Sequence, residues 1–352
     1  VIADEIPGLL AGPDEISAFH EQMVRPRRVR IDIPDRFAYP RVDRPTRTPM
    51  LHVRRLPMSP LAVLVALAAV AAVPAAPASA APPEWPEGVR MTRSVESALI
   101  DVRRFCGDGG KYGCDGRVCV AAGFLKPDER LTFRWPLDKG KGYAVVAATD
   151  ASETQIDLRI DDPGGTSIVE RKADTGPAAE FVASRTGTHA VTLRLTGAGT
   201  PAGAFVTLFL LRKNGWKLTG TAVESALGRL IEGCAEVSGA VRKKVAFHRG
   251  DGQWALYGAA LEPDEAATVP GVRFGKGERL VLAAGDANAE DVDLAILNDR
   301  DEVLLKDKTR DPVAFLKFTE DEDETRAVQF RNARSRRGGR ALVLAAVLRL
   351  DR

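Results

Sequence analysis

"YAVVAATDASETQIDLRI" occupies residues 143–160, and "RLVLAAGDANAEDVDLAI" occupies residues 279–296. They align without a gap at an offset of 136, which sets Ala147 on Ala283, Asp150 on Asp286, Asp157 on Asp293 and Leu158 on Leu294. Each begins as an apolar run, turns through an acidic bend and resumes with alternating apolar residues, as strands joined by a turn do. Ile168-Val169 and Leu304-Leu305 keep the same offset, and "AFVTLFLLR" from Ala204 matches "ALVLAAVLR" from Ala341 at 137. Unrelated domains would not hold register over such a length, so the chain contains an internal duplication.

Upstream of these strands the period changes. "VESAL" begins at both Val95 and Val223, an offset of 128, and a cysteine follows eleven residues later in each copy, at Cys106 and Cys234. Val95, Leu99, Val102 and Cys106 fall on one helical face, as do Val223, Leu227, Leu230, Ile231 and Cys234. Thr221 to Glu224 reads as a capping box and predicts a helix start there. The first copy has Arg93 at the matching position, so its start is less sharply marked.

In the first copy, strands are expected at 118–125, 130–135, 143–149, 156–160, 167–170, 179–183, 188–195 and 204–211. "DDPGG" at 161–165 is a turn, because proline presets one torsion and glycine permits the next. Short strands at regular spacing predict a mainly β chain: two tandem antiparallel β-sandwich, jelly-roll-like domains, each preceded by a short α-helix. The expected division is 92–213 for the first repeat, 214–220 for a linker and 221–352 for the second repeat.

From Met50, Arg54 and Arg55 precede an apolar run that Pro74 ends, and Ala78-Ser79-Ala80 follows. That order predicts a signal peptide over 50–80, with cleavage after Ala80 and 81–91 as a linker. The run is too short to span a bilayer, which needs about 18 or more apolar residues, so no integral span is expected after cleavage. Residues 1–49 then read as a mis-assigned start or a disordered extension. The whole chain carries 50 Lys+Arg and 48 Asp+Glu; ten and eight of these lie in residues 1–81, leaving 40 of each sign beyond. A formally neutral exported part offers no field for nucleic acid or an anionic membrane. Periplasmic or extracellular localisation is expected.

"YAVVAATDASETQIDLRIDDPGGTSIV", then "TGTHAVTLRL", and more faintly "LVLAAGDANAEDVDLAILNDRDEVLL", resemble the bacterial pre-peptidase C-terminal domain, a secreted β-sandwich found beside many exported proteases. The likeness covers the sandwich part of each copy and not the helices. His189 stands where that family has an aromatic after Gly-Thr, and the second copy offers only "RGGRALVL". The resemblance implies a secreted, non-catalytic module.

Little in the repeats suggests catalysis. His189 shares a strand face with Val191, Leu193 and Leu195, which predicts a buried structural role. Neither G-x-S-x-G nor H-E-x-x-H occurs. "GDGGKYG" at 107–113 lacks the Ser or Thr after its lysine and reads as a glycine-rich loop rather than a phosphate cradle. The spacings among Cys106, Cys114, Cys119 and Cys234 do not suit zinc, and an oxidising compartment favours disulfides. Of the three possible connectivities, Cys106–Cys234 with Cys114–Cys119 is the one expected from equivalent helix ends plus a local loop.

The acidic bends are the candidate ligand sites. Asp286, Asn288, Glu290, Asp291 and Asp293 lie close enough in sequence to offer calcium several oxygens, whereas the first copy offers Asp150, Ser152, Glu153 and Asp157. The alternative is a solvated turn with structural aspartates at Asp157 and Asp293. "EDEDE" at 320–324 and the basic stretch 331–340 read as a charged hairpin. The leading expectation is an exported non-catalytic binding, adhesion or envelope-structural protein, with a protein or glycan partner, no nucleic acid and no required cofactor. The alternatives are a calcium-dependent binding module and an enzyme of unfamiliar type using Asp157 and Asp293.

Overall fold

A strand that is apolar at every position must be covered on both faces, whereas an alternating one needs only one face covered. The duplicated chain contains both kinds, and the contrast sets its layers. The structure is a computed structural model that describes residues 85–351 apart from 108, 152, 198–202, 250, 251 and 308. The expected signal peptide, the N-terminal extension and Ser152 lie outside the described residues.

The first repeat runs α1 (Pro86–Cys106), β1 (Tyr112–Gly113), β2 (Val118–Leu125), β3 (Arg130–Leu137), β4 (Gly142–Thr149), β5 (Gln155–Asp161), β6 (Ser167–Asp174), β7 (Ala178–Val182), β8 (Gly187–Gly197) and β9 (Ala204–Lys213). The second runs α2 (Gly220–Val241), β10 (Lys244–Phe247), β11 (Leu256–Leu261), β12 (Ala266–Phe274), β13 (Gly277–Gly285), β14 (Ala289–Leu297), β15 (Val303–Lys306), β16 (Val313–Glu320), β17 (Glu324–Ser335) and β18 (Ala341–Asp351). Every named pairing is antiparallel, as in the paired strands β4 and β9 or β14 and β17.

The strands form one ten-stranded sheet, ordered β16-β13-β18-β11-β2-β9-β4-β7 with β1 on β9 and β10 on β18, and two four-stranded sheets, β3-β8-β5-β6 and β12-β17-β14-β15. The strands with continuous apolar runs, β4, β9, β13 and β18, all lie in the large sheet. One of its faces packs on the small sheets through Val145, Val206, Val281 and Val343. The other receives the helices, which bury Met91, Val95, Leu99 and Val102 of α1 and Val223, Leu227, Leu230 and Val237 of α2. Each such side chain contributes about 1.5–3 kcal/mol relative to exposure. In the small sheets, β5 and β8 alternate, with Ile156, Leu158 and Ile160 inward beside Val191, Leu193 and Leu195.

The two tandem sandwiches share their larger sheet. β2 and β11 pair across the junction, Leu256 with Ala122, Tyr257 with Ala121 and Gly258 with Val120. "LKPDE" at 125–129 and "LEPDE" at 261–265 make Val120, Ala121 and Ala122 the counterparts of Leu256, Tyr257 and Gly258. The pairing therefore follows an internal two-fold axis through the Ala121/Tyr257 pair, as in an isologous dimer interface. Both core layers continue across it. The expected division at 214–220 separates the repeats along the chain but not their cores.

Strand positions agree with expectation to within a few residues, and β1 was too short to be expected. Two helix boundaries differ. α1 begins at Pro86, inside the expected linker, because proline is tolerated at the first helical position. α2 begins at Gly220, with Thr219 as its cap, whose hydroxyl accepts from the Ala222 amide at 3.2 Å. The expected Thr221–Glu224 box is thus already inside the helix, and the real cap lies two residues earlier. α1 also reaches the second repeat: Trp85 stacks on Phe247 at 4.8 Å, and Glu87 accepts from the Phe247 amide at 2.8 Å and pairs with Arg249 at 2.7 Å.

Candidate functional site at the junction of the repeats

The two small sheets do not meet above the axis. Their edge strands β3 and β12 border a groove of about 950 Å³, with the β2–β11 side of the large sheet beneath. Val118 and Tyr257 belong to that floor, and Phe133, Trp135 and Trp254 supply aromatic walls. Phe133 is half-buried and meets Trp254 edge-on at 6.3 Å. Burial also pushes the Tyr257 hydroxyl well above its usual pKa, and that hydroxyl donates to the Trp254 carbonyl at 3.1 Å.

An uncovered sheet edge invites pairing by another chain unless it is blunted. Here the segment before β11 does the blunting. The Trp254 indole N–H donates to the Thr132 carbonyl of β3 at 3.1 Å. The Gln253 amide accepts from the Arg273 N–H at 2.7 Å and donates to the Arg273 carbonyl at 3.1 Å, as a neighbouring strand would. Pro136 and Pro270 remove further donors, and the β12 register breaks between Val269 and Val272.

The groove's polar lining is one-sided. It contains Arg117, Arg134 and Arg273, the hydroxyls of Thr132, Thr188 and Thr268, and the Gln253 amide, and among the described residues it contains no carboxylate, histidine or cysteine. Arg117 is committed to Asp115, its Nε donating to a carboxylate oxygen at 2.9 Å. Arg134 and Arg273 are exposed and have no ion pair among the described residues. A smaller hollow of about 490 Å³, near Cys114, gathers Lys141, Arg212, Lys213 and Arg340, but Arg212 faces Asp115 at 3.7 Å and Arg340 holds Glu262 at 2.8 Å.

The sites expected from sequence lie elsewhere. Asp286 is buried, and its carboxylate accepts from the Asn288 and Leu342 amides at 2.9 and 3.1 Å. Glu290 pairs with Arg334 at 3.1 Å, and Asp293 with Lys306 at 3.1 Å and Arg331 at 3.8 Å. Asn288 directs its amide to the Arg340 carbonyl at 3.5 Å, and burial beside Asp293 raises the Asp291 pKa. The expected calcium cluster does not assemble: β14 begins at Ala289, so its acidic residues spread along a strand, and the described residues form no group of three metal-ligating side chains. In the first copy Asp150 likewise accepts from the Phe205 amide at 3.0 Å and binds Arg90.

Asp157 and Asp293 sit opposite Arg194 and Arg331 in register, on separate small sheets. Asp157 accepts from the Ala173 amide at 2.9 Å. Neither lines the groove or the hollow. His189 is buried as expected, with Nδ1 3.0 Å from the Gly187 carbonyl. "EDEDE" spans the turn between β16 and β17, where Arg326 meets Glu320 at 3.7 Å and Glu324 at 3.3 Å.

All four cysteines are buried thiols. The expected Cys106–Cys234 bridge is absent: both are buried free thiols, and burial raises the pKa of each. Burial pushes the Cys106 thiol up to about 11. The expected Cys114–Cys119 bridge is absent as well: both are free buried thiols, and the neighbouring Cys119 thiol, followed by burial, raises the Cys114 pKa.

Among the described residues no helix is long and apolar enough to cross a membrane. No family model matches the chain, and no curated protein matches it. Similar solved structures include the PBSX exported protein XepA, with 11% identity over 65% of this chain and 85% of that one at a TM-score of 0.21. The tandem CBM51 modules of a family 98 glycoside hydrolase from Streptococcus pneumoniae share 10% identity over 66% and 83% at 0.20. A CBM22 tandem from Paenibacillus barcinonensis shares 8% over 69% and 94% at 0.19.

Proposed function

We propose that the chain is an exported, non-catalytic binding protein whose ligand lies in the groove between the repeats. The observation that carries this reading is the groove's lining. Aromatic walls, hydroxyls, an amide and two uncommitted arginines can desolvate, orient and hold a ligand. They place no nucleophile beside a base. Duplication supports the same reading, because fusing two copies creates at their junction a concave surface that one copy lacks.

Co-sedimentation with insoluble polysaccharides and with bacterial envelope material tests it. The chain is expected in the pellet, and Phe133→Ala, with its melting temperature checked, is expected largely in the supernatant. Equal sedimentation of both proteins would place the ligand outside the groove.

A further inference from the structure

We propose that the groove binds an acidic polysaccharide, with Arg134 of the first repeat and Arg273 of the second gripping carboxylates along it. This rests on the groove being the binding site and adds the chemistry of the ligand. Charge is the first reason. Among its described residues the groove presents arginines and no carboxylate, in a chain that is neutral beyond residue 81. The positive charge is therefore local, and in Arg134 and Arg273 it is not spent on ion pairs among the described residues. Guanidinium is the planar fork that matches a carboxylate with two parallel hydrogen bonds.

The blunted edges decide against an acidic peptide. A strand added to β3 or β12 would need backbone groups that Trp254 and Gln253 already occupy at Thr132 and Arg273. It would also meet Pro136, Pro270 and the register break, where no continuous ladder exists. Recognition must then come from side chains, which suits a ligand rich in hydroxyls. Thr188 and the Gln253 amide face such groups, and Phe133 offers an apolar surface to a ring face. Nucleic acid is disfavoured by the neutral chain, which offers no extended field to a phosphate backbone. The wall is long enough for about three sugar units: the part of β3 that lines the groove, residues 132–136, extends about 16 Å at the usual strand rise.

Isothermal titration of the full chain with oligogalacturonate, a neutral dextran oligomer, poly-glutamate and a glycerol-phosphate polymer tests the assignment. Oligogalacturonate is expected to bind most tightly. Arg134→Gln and Arg273→Gln should each weaken it about tenfold, the usual scale for a hydrogen bond to a charged group, without moving the melting temperature. Raising the salt should weaken the wild type and barely affect the double variant. Undiminished binding by the double variant, or poly-glutamate or the phosphate polymer binding as tightly as oligogalacturonate, overturns the proposal. If only the neutral oligomer binds, and Phe133→Ala abolishes that, the groove stands as the site and its acidic ligand falls. If nothing binds in a manner sensitive to Phe133→Ala, both fall.

Discussion

At the scale of single residues, Asp286 shows what an acidic bend is for in this chain. A carboxylate that is 1% exposed survives burial only if its lone pairs are used, and two backbone N–H groups use them. One of those amides, Leu342, opens β18, so the side chain fixes where that strand starts beside the β13–β14 turn. Asp286→Ala should destabilise the protein by about 2 kcal/mol, since it strands buried donors. Urea unfolding monitored by tryptophan fluorescence measures it, and adding calcium should not rescue the loss. Asp150 repeats the contact to the following strand and adds Arg90. The sequence alignment had paired these two aspartates, but it could not distinguish a metal ligand from a backbone clasp. Both uses need an oxygen at the same point of the bend.

At the scale of elements, α2 is fixed at both ends: capped by Thr219 at its start and linked to the large sheet through Lys243, just past its end, which pairs with Glu278 of β13. The Lys243 hydrogen bond, followed by Lys317 at 3.4 Å, holds the Glu278 carboxyl below the usual glutamate range. A depressed carboxylate pKa contributes stability that is complete above the unfolded value, about 4.3, and is lost as pH falls through the folded value. Glu278→Gln should therefore be less stable than wild type at neutral pH, and the gap should close in acid. Thermal melts of both proteins across that range read the difference. Asp291 and Glu320, whose pKa values burial raises, act in the opposite sense in both proteins and cancel from the comparison. Most elements were legible in the sequence because burial writes its period there: β5 alternates, β4 does not, and the helical faces recur every three or four residues. The start of α1 was not, since Trp85 provides no side-chain cap hydrogen bond. The groove was not either. Arg134, Gln253 and Arg273 come from different elements, and only the pairing of β2 with β11 brings them around one space. "LKPDE" and "LEPDE" were the overlooked signal, because they mark the strands that meet on the axis.

For the whole molecule, one sheet and two continuous core layers predict one unfolding event. Differential scanning calorimetry should give a single endotherm with matching calorimetric and van't Hoff enthalpies, whereas two resolved transitions would mean that the repeats unfold independently. Gly258→Ala probes the coupling directly. An added Cβ would lie 2.5 Å from Leu344 Cδ2 and 3.1 Å from Val120 Cβ, an overpacking worth about 1–3 kcal/mol, and it should lower that one transition without splitting it. Where two identical subunits meet about a two-fold axis, whatever they enclose is read the same from either end, as a palindrome is. Ala121 faces Tyr257 here, and β3 carries Pro136 near the end where β12 carries Arg273. Joining the copies in one chain let the two halves drift apart, so the proposed polysaccharide ligand, whose reducing and non-reducing ends differ, would be held in a single orientation.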